Sequence, residues 1–84
     1  MAIDVEHPPV GATLEIYISP TCPYCREALA YYDARGIRYT KHDAQNDRRA
    51  RKAMFAHTGG DPTVPAIVID GSYVQSGWGQ PPRG

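Results

Sequence analysis

Residues 14–25 read LEIYISPTCPYC, and this stretch decides the fold because it leads a strand directly into a helix that begins with both cysteines of the chain. Leu14–Ile18 alternates apolar and polar side chains with β-favouring residues, which predicts a strand. Pro23 suits the first turn of a helix, where its missing N–H and fixed φ cost nothing. The pattern therefore predicts that Cys22 lies at a helix N-terminus and Cys25 one turn further along.

This placement makes the two thiols unequal. Unpaired N–H groups and the positive end of the helix dipole favour a thiolate over a thiol, so Cys22 is expected to be the acidic sulfur. Cys25 is expected to be the more buried partner. Because disulfide exchange proceeds through attack by a thiolate, the sequence predicts that Cys22 starts the reaction and Cys25 resolves the mixed disulfide.

Two other uses of a C-x-x-C pair fit this chain less well. Structural zinc needs four ligands, but the chain has no second C-x-x-C, and His7, His42 and His57 are scattered along it. A permanent disulfide across so short a loop would constrain the unfolded chain very little. The interpretation that fits this C-x-x-C pair best is a dithiol that is oxidised and reduced reversibly.

The rest of the chain continues the alternation of strands and helices. Thr63-Val64-Pro65 introduces an apolar strand, and its proline is a candidate for a cis peptide bond. The remaining predicted elements are a strand at 37–43, a helix from Asn46 or Asp47 to about Thr58, and strands at 66–70 and 72–76 joined by an Asp70-Gly71 turn. The first two strands and their helix predict a right-handed βαβ unit with parallel pairing, within the order β-α-β-α-β-β.

Length and charge narrow the class of protein. Eighty-four residues with a net charge of zero predict one small domain, expected to be monomeric, without the charge bias that favours nucleic acid or anionic membranes. No apolar run is long enough to span a bilayer, and residues 1–13 lack the pattern of a signal peptide, so a cytoplasmic location is expected. The predicted division is a flexible N-terminal tail at 1–13, a domain at 14–79 and a Pro/Gly-rich tail at 80–84.

Three motifs in this order resemble the glutaredoxins of the thioredoxin-like superfamily: Cys22-Pro-Tyr-Cys25, Thr63-Val64-Pro65, and Asp70-Gly71 after a strand. The resemblance covers about Leu14 to Trp78. It implies a minimal thioredoxin-like α/β fold with a four-stranded mixed sheet, here without a clear C-terminal helix. It also implies a dithiol oxidoreductase that binds no cofactor tightly, uses glutathione as co-substrate, and acts on disulfide-containing or glutathionylated proteins.

The resemblance also implies roles for individual residues. Cys22 would be the nucleophile and Cys25 the resolving thiol, while the Tyr24 ring would pack beside bound glutathione. In the Thr63-Val64-Pro65 loop, the Val64 backbone would pair with the glutathione cysteine, and cis Pro65 would shape the groove.

Two departures from the family pattern concern the glutathione carboxylates. Ser19 stands where many glutaredoxins carry lysine, and Ser76-Gly77-Trp78-Gly79 stands where many carry Gly-Gly-x-Asp. Arg48 or Arg49, near the start of the second helix, is a candidate replacement for one lost partner, although a solvated basic face is the simpler interpretation of these arginines.

The Ser76-Gly77-Trp78 stretch also resembles the redoxins that donate electrons to ribonucleotide reductase and are recharged by thioredoxin reductase. Under that alternative Trp78 would contact the partner protein, whereas under the simpler one it is a core residue. An alternative of another class is an iron-sulfur cluster carrier, against which the proline after Cys22 argues.

Overall fold

The structure of the protein, a computed structural model, describes residues 4–84. Its described part contains the six expected elements in the expected order. They are β1 (Leu14–Ile18), α1 (Pro23–Ala34), β2 (Thr40–Asp43), α2 (Arg48–Thr58), β3 (Ala66–Ile69) and β4 (Ser72–Ser76).

The four strands form one mixed sheet in the order β2-β1-β3-β4. β1 pairs parallel to β2 and antiparallel to β3, which in turn pairs antiparallel to β4. The predicted α/β fold and its parallel βαβ unit are therefore confirmed. Asp70 and Gly71 both have positive φ, of 52° and 79°, which makes the tight turn that joins β3 to β4.

β2 is shorter than the sequence pattern predicts. It begins at Thr40, whereas the alternation suggested a strand from Ile37. Ile37 instead donates its backbone N–H to the Tyr32 carbonyl at 3.0 Å, which ties it to the end of α1. Residues 37–39 therefore close the helix before the chain reaches the sheet.

The alternation of side chains along the strands produces two cores, one on each face of the sheet. Ile16, Ile67 and Ile69 pack with α1, whereas Tyr17 and Val68 pack with α2. Fully burying one such aliphatic side chain stabilises the fold by about 1.5–3 kcal/mol. The sheet thus lies between the two helices, and the loops that follow β1 and β2 meet at one edge of it.

Part of the segment at residues 4–13, for which the sequence predicts a flexible N-terminal tail, packs on α1. Val5 is buried in the core, where its carbonyl accepts a hydrogen bond from the Tyr32 hydroxyl. The Tyr31 hydroxyl donates to the Glu6 carbonyl at 2.7 Å. Two buried or half-buried tyrosines need acceptors, and the N-terminal backbone supplies them. The prediction for residues 1–3 lies outside the described part of the chain.

The C-terminal residues fold back on the domain through a backbone pairing of Trp78 with Arg83. Trp78 donates its N–H to the Arg83 carbonyl at 2.7 Å, and Arg83 donates to the Trp78 carbonyl at 2.9 Å. The Trp78 side chain is 9% exposed, with its ring centroid 5.3 Å from that of Tyr31 and 5.5 Å from that of Tyr32.

In residues 4–84, no helix is long and apolar enough to cross a membrane.

Candidate active site

Cys22 is the N-cap residue of α1, at the position predicted from the sequence. Its backbone is extended, with φ −87° and ψ 119°, and its side chain makes no capping hydrogen bond. The first N–H groups of the helix therefore have no side-chain cap to neutralise them. The half-buried Cys22 side chain lies at this end of α1.

Cys25 lies one turn further along α1 and faces the core. It is only 1% exposed, and both cysteines are free thiols. Burial raises the pKa of Cys25 to about 12; a backbone hydrogen bond with Ser19 opposes this rise, and the adjacent Cys22 sulfur adds to it. Near neutral pH Cys25 is therefore a protonated thiol that reagents in solution reach poorly.

The Thr63-Val64-Pro65 loop lies next to Cys22 in space, 42 residues away in the chain. The Cys22 thiol donates to the Val64 carbonyl oxygen over 3.8 Å. The Val64-Pro65 peptide bond is cis, as the sequence predicted. Thr63 is held by a 2.9 Å hydrogen bond from its N–H to the Asp61 carboxylate. Within residues 4–84 the Val64 N–H donates to no backbone carbonyl.

A cavity of about 210 Å³ lies beside Val64, between β1 and α2. Its apolar wall includes Met54 and Phe55, and its polar wall includes Ser19, Gln45 and Arg51. Arg48 and Arg49 are exposed and do not line it. Among the arginines of α2, Arg51 is the one that lines this cavity.

Arg51 also organises the loop between β2 and α2. Its Nε donates to the Ala44 carbonyl at 2.9 Å, and its Nη2 donates to the Gln45 carbonyl at 2.6 Å. The Gln45 side-chain oxygen accepts hydrogen bonds from the hydroxyls of Ser19 and Thr21, in the loop that leads to Cys22. These hydrogen bonds join the loops that follow β1 and β2, and Thr21, one of the bonded residues, immediately precedes Cys22 in the chain.

Sequence reasoning missed Gln45, and it did not single out Arg51 from the other basic residues of the second helix. A usable signal existed for Gln45: parallel strands end at the same edge of a sheet, so residues that follow β1 and β2 should meet there. No comparable signal separated Arg51 from its neighbours in an arginine-rich helix.

Two further candidates occupy different settings. Tyr24 is half-buried in the first turn of α1 and packs against the core on that side. Trp78 is buried between Tyr31 and Tyr32, so of the two roles considered for it, a core residue is the one that its burial supports. Within residues 4–84, no group of three or more His, Cys, Asp or Glu side chains is placed to hold a metal ion.

Comparison with known proteins places this arrangement in a family. The glutaredoxin family model matches residues 14–74. A probable glutaredoxin of Synechocystis sp. is 37% identical over 65 residues, which cover 77% of this chain and 74% of the relative. Glutaredoxin 3 of Escherichia coli K12 is 33% identical over 63 residues, which cover 75% of each chain.

Solved structures support the same fold. A mutant thioredoxin-like protein superposes with a TM-score of 0.67 at 26% identity, covering 76% of this chain and 81% of that one. A mutated buckwheat glutaredoxin superposes with a TM-score of 0.63 at 20% identity, covering 86% of this chain and 64% of that one. With a family match over most of its length and relatives at one-third identity, the chain belongs to the glutaredoxin family of thiol-disulfide oxidoreductases.

Proposed function

We propose that the protein is a glutathione-dependent oxidoreductase that reduces glutathione mixed disulfides and protein disulfides through Cys22 and Cys25. The observation that carries this proposal is the position of the Cys22 sulfur, 3.8 Å from the carbonyl oxygen of Val64, a residue that lines the same cavity as Arg51. A peptide whose sulfur is bonded to Cys22 would have its backbone within reach of Val64 and a negative group within reach of Arg51.

Glutathione matches these features chemically. It is a short peptide with a central cysteine and two carboxylates. Its cysteine backbone would pair with the N–H and carbonyl of Val64, in the manner of a strand added to a sheet edge. One carboxylate would meet the Arg51 guanidinium, since charge-assisted hydrogen bonds of this kind are the strong ones. Tyr24, in the first turn of α1, would contact the peptide from the other side.

The first chemical step is exchange at Cys22. Its thiolate attacks the glutathione sulfur of a mixed disulfide, so that a new bond joins the Cys22 Sγ to glutathione while the original S–S bond breaks. The sulfur of the substrate leaves with the electron pair of that bond and takes up a proton. Unpaired N–H groups at the start of α1 stabilise the attacking thiolate.

The second step resolves the bond between Cys22 and glutathione. A second glutathione thiolate can attack it, releasing oxidised glutathione and restoring the Cys22 thiolate. Cys25 can also attack, but burial holds the pKa of Cys25 near 12, so its thiolate is scarce at neutral pH. We therefore assign small mixed disulfides to resolution by glutathione, and protein disulfides, where the leaving chain is held close, to resolution by Cys25.

We also propose that the protein acts in the cytoplasm. A redox-active C-x-x-C pair fits the reducing cytoplasm, where thiols persist and disulfides are transient. The proposed partners are glutathione and oxidised or glutathionylated proteins. The electron donor does not need to bind permanently, because glutathione delivers electrons by exchange.

A coupled assay that follows NADPH consumption tests the electron donor. It is run once with glutathione and glutathione reductase and once with thioredoxin reductase, with the same mixed-disulfide substrate. We expect turnover in the glutathione arm, full loss for Cys22→Ser, and retained activity for Cys25→Ser on glutathione mixed disulfides but not on protein disulfides. Turnover with thioredoxin reductase alone would overturn glutathione dependence and favour the redoxin alternative.

A visible absorption spectrum after anaerobic reconstitution with iron and sulfide tests the cluster-carrier alternative.

A second assay tests the carboxylate contact. Arg51→Gln should raise the KM for glutathione about tenfold with a smaller change in kcat, because the lost interaction is a binding contact. Arg48→Gln and Arg49→Gln are matched controls on the same helix that do not line the cavity. Equal effects at Arg48 or Arg49 would contradict the assignment. Because Arg51 also holds the loop at Ala44 and Gln45, Arg51→Lys, which keeps the charge, should recover part of the KM.

A further inference from the structure

The residues that follow β4 fold back toward the Thr63-Val64-Pro65 loop. Gly77 donates its N–H to the Pro65 carbonyl at 2.7 Å. The two hydrogen bonds between Trp78 and Arg83 then reverse the chain. The result is that residues 79–84, the C-terminal segment, return to the side of the domain that carries Val64.

The C-terminal segment meets Val64 closely at Gly84. A Cβ atom added to Gly84 would overlap the Val64 carbonyl oxygen and would lie 2.5 Å from the Thr63 Cγ2. The fold-back itself is also tight, since a Cβ on Gly77, which has a φ of +88°, would lie 2.8 Å from the Arg83 nitrogen. Glycines at both positions therefore let the segment approach the loop without side chains between the two backbones.

This contact falls on the carbonyl that faces Cys22. The Cys22 Sγ lies 3.8 Å from the Val64 oxygen, and the Gly84 backbone packs against the same group. A peptide that pairs with Val64 must occupy the space that Gly84 holds. A small disulfide that contacts only the Cys22 sulfur does not need that space.

We propose that the C-terminal segment determines substrate specificity: Gly84 occupies the Val64 backbone edge in the free protein and must move before a peptide-borne disulfide pairs there. The inference rests on the proposed pairing of substrate backbone with Val64. The segment lowers the reactivity of Cys22 toward disulfides carried on a peptide backbone and leaves its reactivity toward disulfides without one unchanged. The apparent affinity for peptide substrates falls by the fraction of molecules in which the edge is uncovered.

Single-turnover kinetics with the pre-reduced 84-residue protein test this proposal, because they need neither glutathione nor a reductase. Three substrates are compared: a disulfide-linked dimer of a short cysteine peptide, a glutathionylated peptide, and 5,5′-dithiobis(2-nitrobenzoate), which has no peptide backbone. The variants are Gly84→Ala and Gly84→Val, whose side chains cannot fit against Val64. Arg83→Ala is the matched control, since Arg83 is exposed and pairs with Trp78 through its backbone alone.

The two Gly84 variants should react about fivefold faster than the parent protein with both peptide disulfides, and equally fast with the nitrobenzoate disulfide. Arg83→Ala should match the parent protein with all three. Unchanged or slower rates with the peptides would overturn the proposal, and so would equal acceleration with all three disulfides, which would show simple shielding of the sulfur.

Failure of the proposed glutathione function would look different. The parent protein would then react with the peptide dimer and the nitrobenzoate disulfide but not with the glutathionylated peptide. The Gly84 variants would still report on the segment through the peptide dimer. Thermal unfolding of each variant, expected to match the parent protein, excludes a general loss of structure.

Discussion

Replacing Trp78 with alanine should destabilise the domain strongly, because the structure places this side chain in the core. Trp78 is 9% exposed and packs against the rings of Tyr31 and Tyr32. Truncating a buried aromatic residue to alanine costs about 3–5 kcal/mol. The two lost ring contacts, at about 0.5–1.5 kcal/mol each, are part of that cost.

Such a loss is large for a chain of 84 residues. Small domains have a free energy of unfolding of only about 5–15 kcal/mol. In a domain of this size, 1 kcal/mol lowers the Tm by about 4–8 °C, so the smallest expected loss of about 3 kcal/mol corresponds to a fall of at least about 12 °C. Trp78→Phe, which keeps a ring against Tyr31 and Tyr32, should lose less than half as much.

Urea unfolding followed by far-ultraviolet circular dichroism measures this free energy directly. Tyr73→Ala is a suitable control, because Tyr73 is 38% exposed on β4 and should lose less than about 1 kcal/mol. The reasoning is refuted if Trp78→Ala also loses less than about 1 kcal/mol. Selective loss of recharging by thioredoxin reductase in that stable variant would identify Trp78 as a partner contact instead.

The remaining predictions concern the cysteines, the start of α2 and the loop that precedes it. Iodoacetamide should modify Cys22 and leave Cys25 unmodified up to about pH 10, because burial keeps the pKa of Cys25 raised and its sulfur protonated. Mass spectrometry of the peptides measures the labelling, and early labelling of Cys25 would contradict this prediction. Asp47→Ala should cost about 1 kcal/mol of unfolding free energy through loss of the α2 cap, whereas Asn46→Ala should cost less, and equal losses would speak against this cap. Gln45→Ala should slow alkylation of Cys22 about threefold and change the unfolding free energy by less than about 0.5 kcal/mol, because Gln45 bonds to the loop before Cys22. An unchanged alkylation rate would show that Gln45 does not position this loop.

Local rules were sufficient for the order of the elements and for several of their ends. Alternating side chains predicted β1, and the Asp70-Gly71 turn predicted β4 after β3. Asp47 caps α2 by accepting from the N–H groups of Arg49 and Ala50, and it is one of the two caps expected. The Asp70-Gly71 turn and the position of Cys22 at the start of α1 followed from the same kind of reasoning. These features depend on a few neighbouring residues, whose φ preferences and hydrogen-bonding groups are visible in the sequence.

Tertiary structure alone decided which arginine of α2 lies beside Val64. Arg51 lines the cavity beside Val64, although Arg48 and Arg49 carry the same charge on the same helix. That choice depends on how α2 is rotated against the sheet, which the packing of Ala50 and Met54 sets.

The contacts made by the N-terminal and C-terminal segments were likewise not predictable from the local sequence. A Pro-interrupted start gave no reason to bury Val5, yet the hydroxyls of Tyr31 and Tyr32 bind this segment to α1. A Pro/Gly-rich end gave no reason to place Gly84 on Val64. Contacts between residues far apart in the chain depend on which surfaces the assembled core leaves free to be covered, and short-range patterns in a sequence do not carry that information.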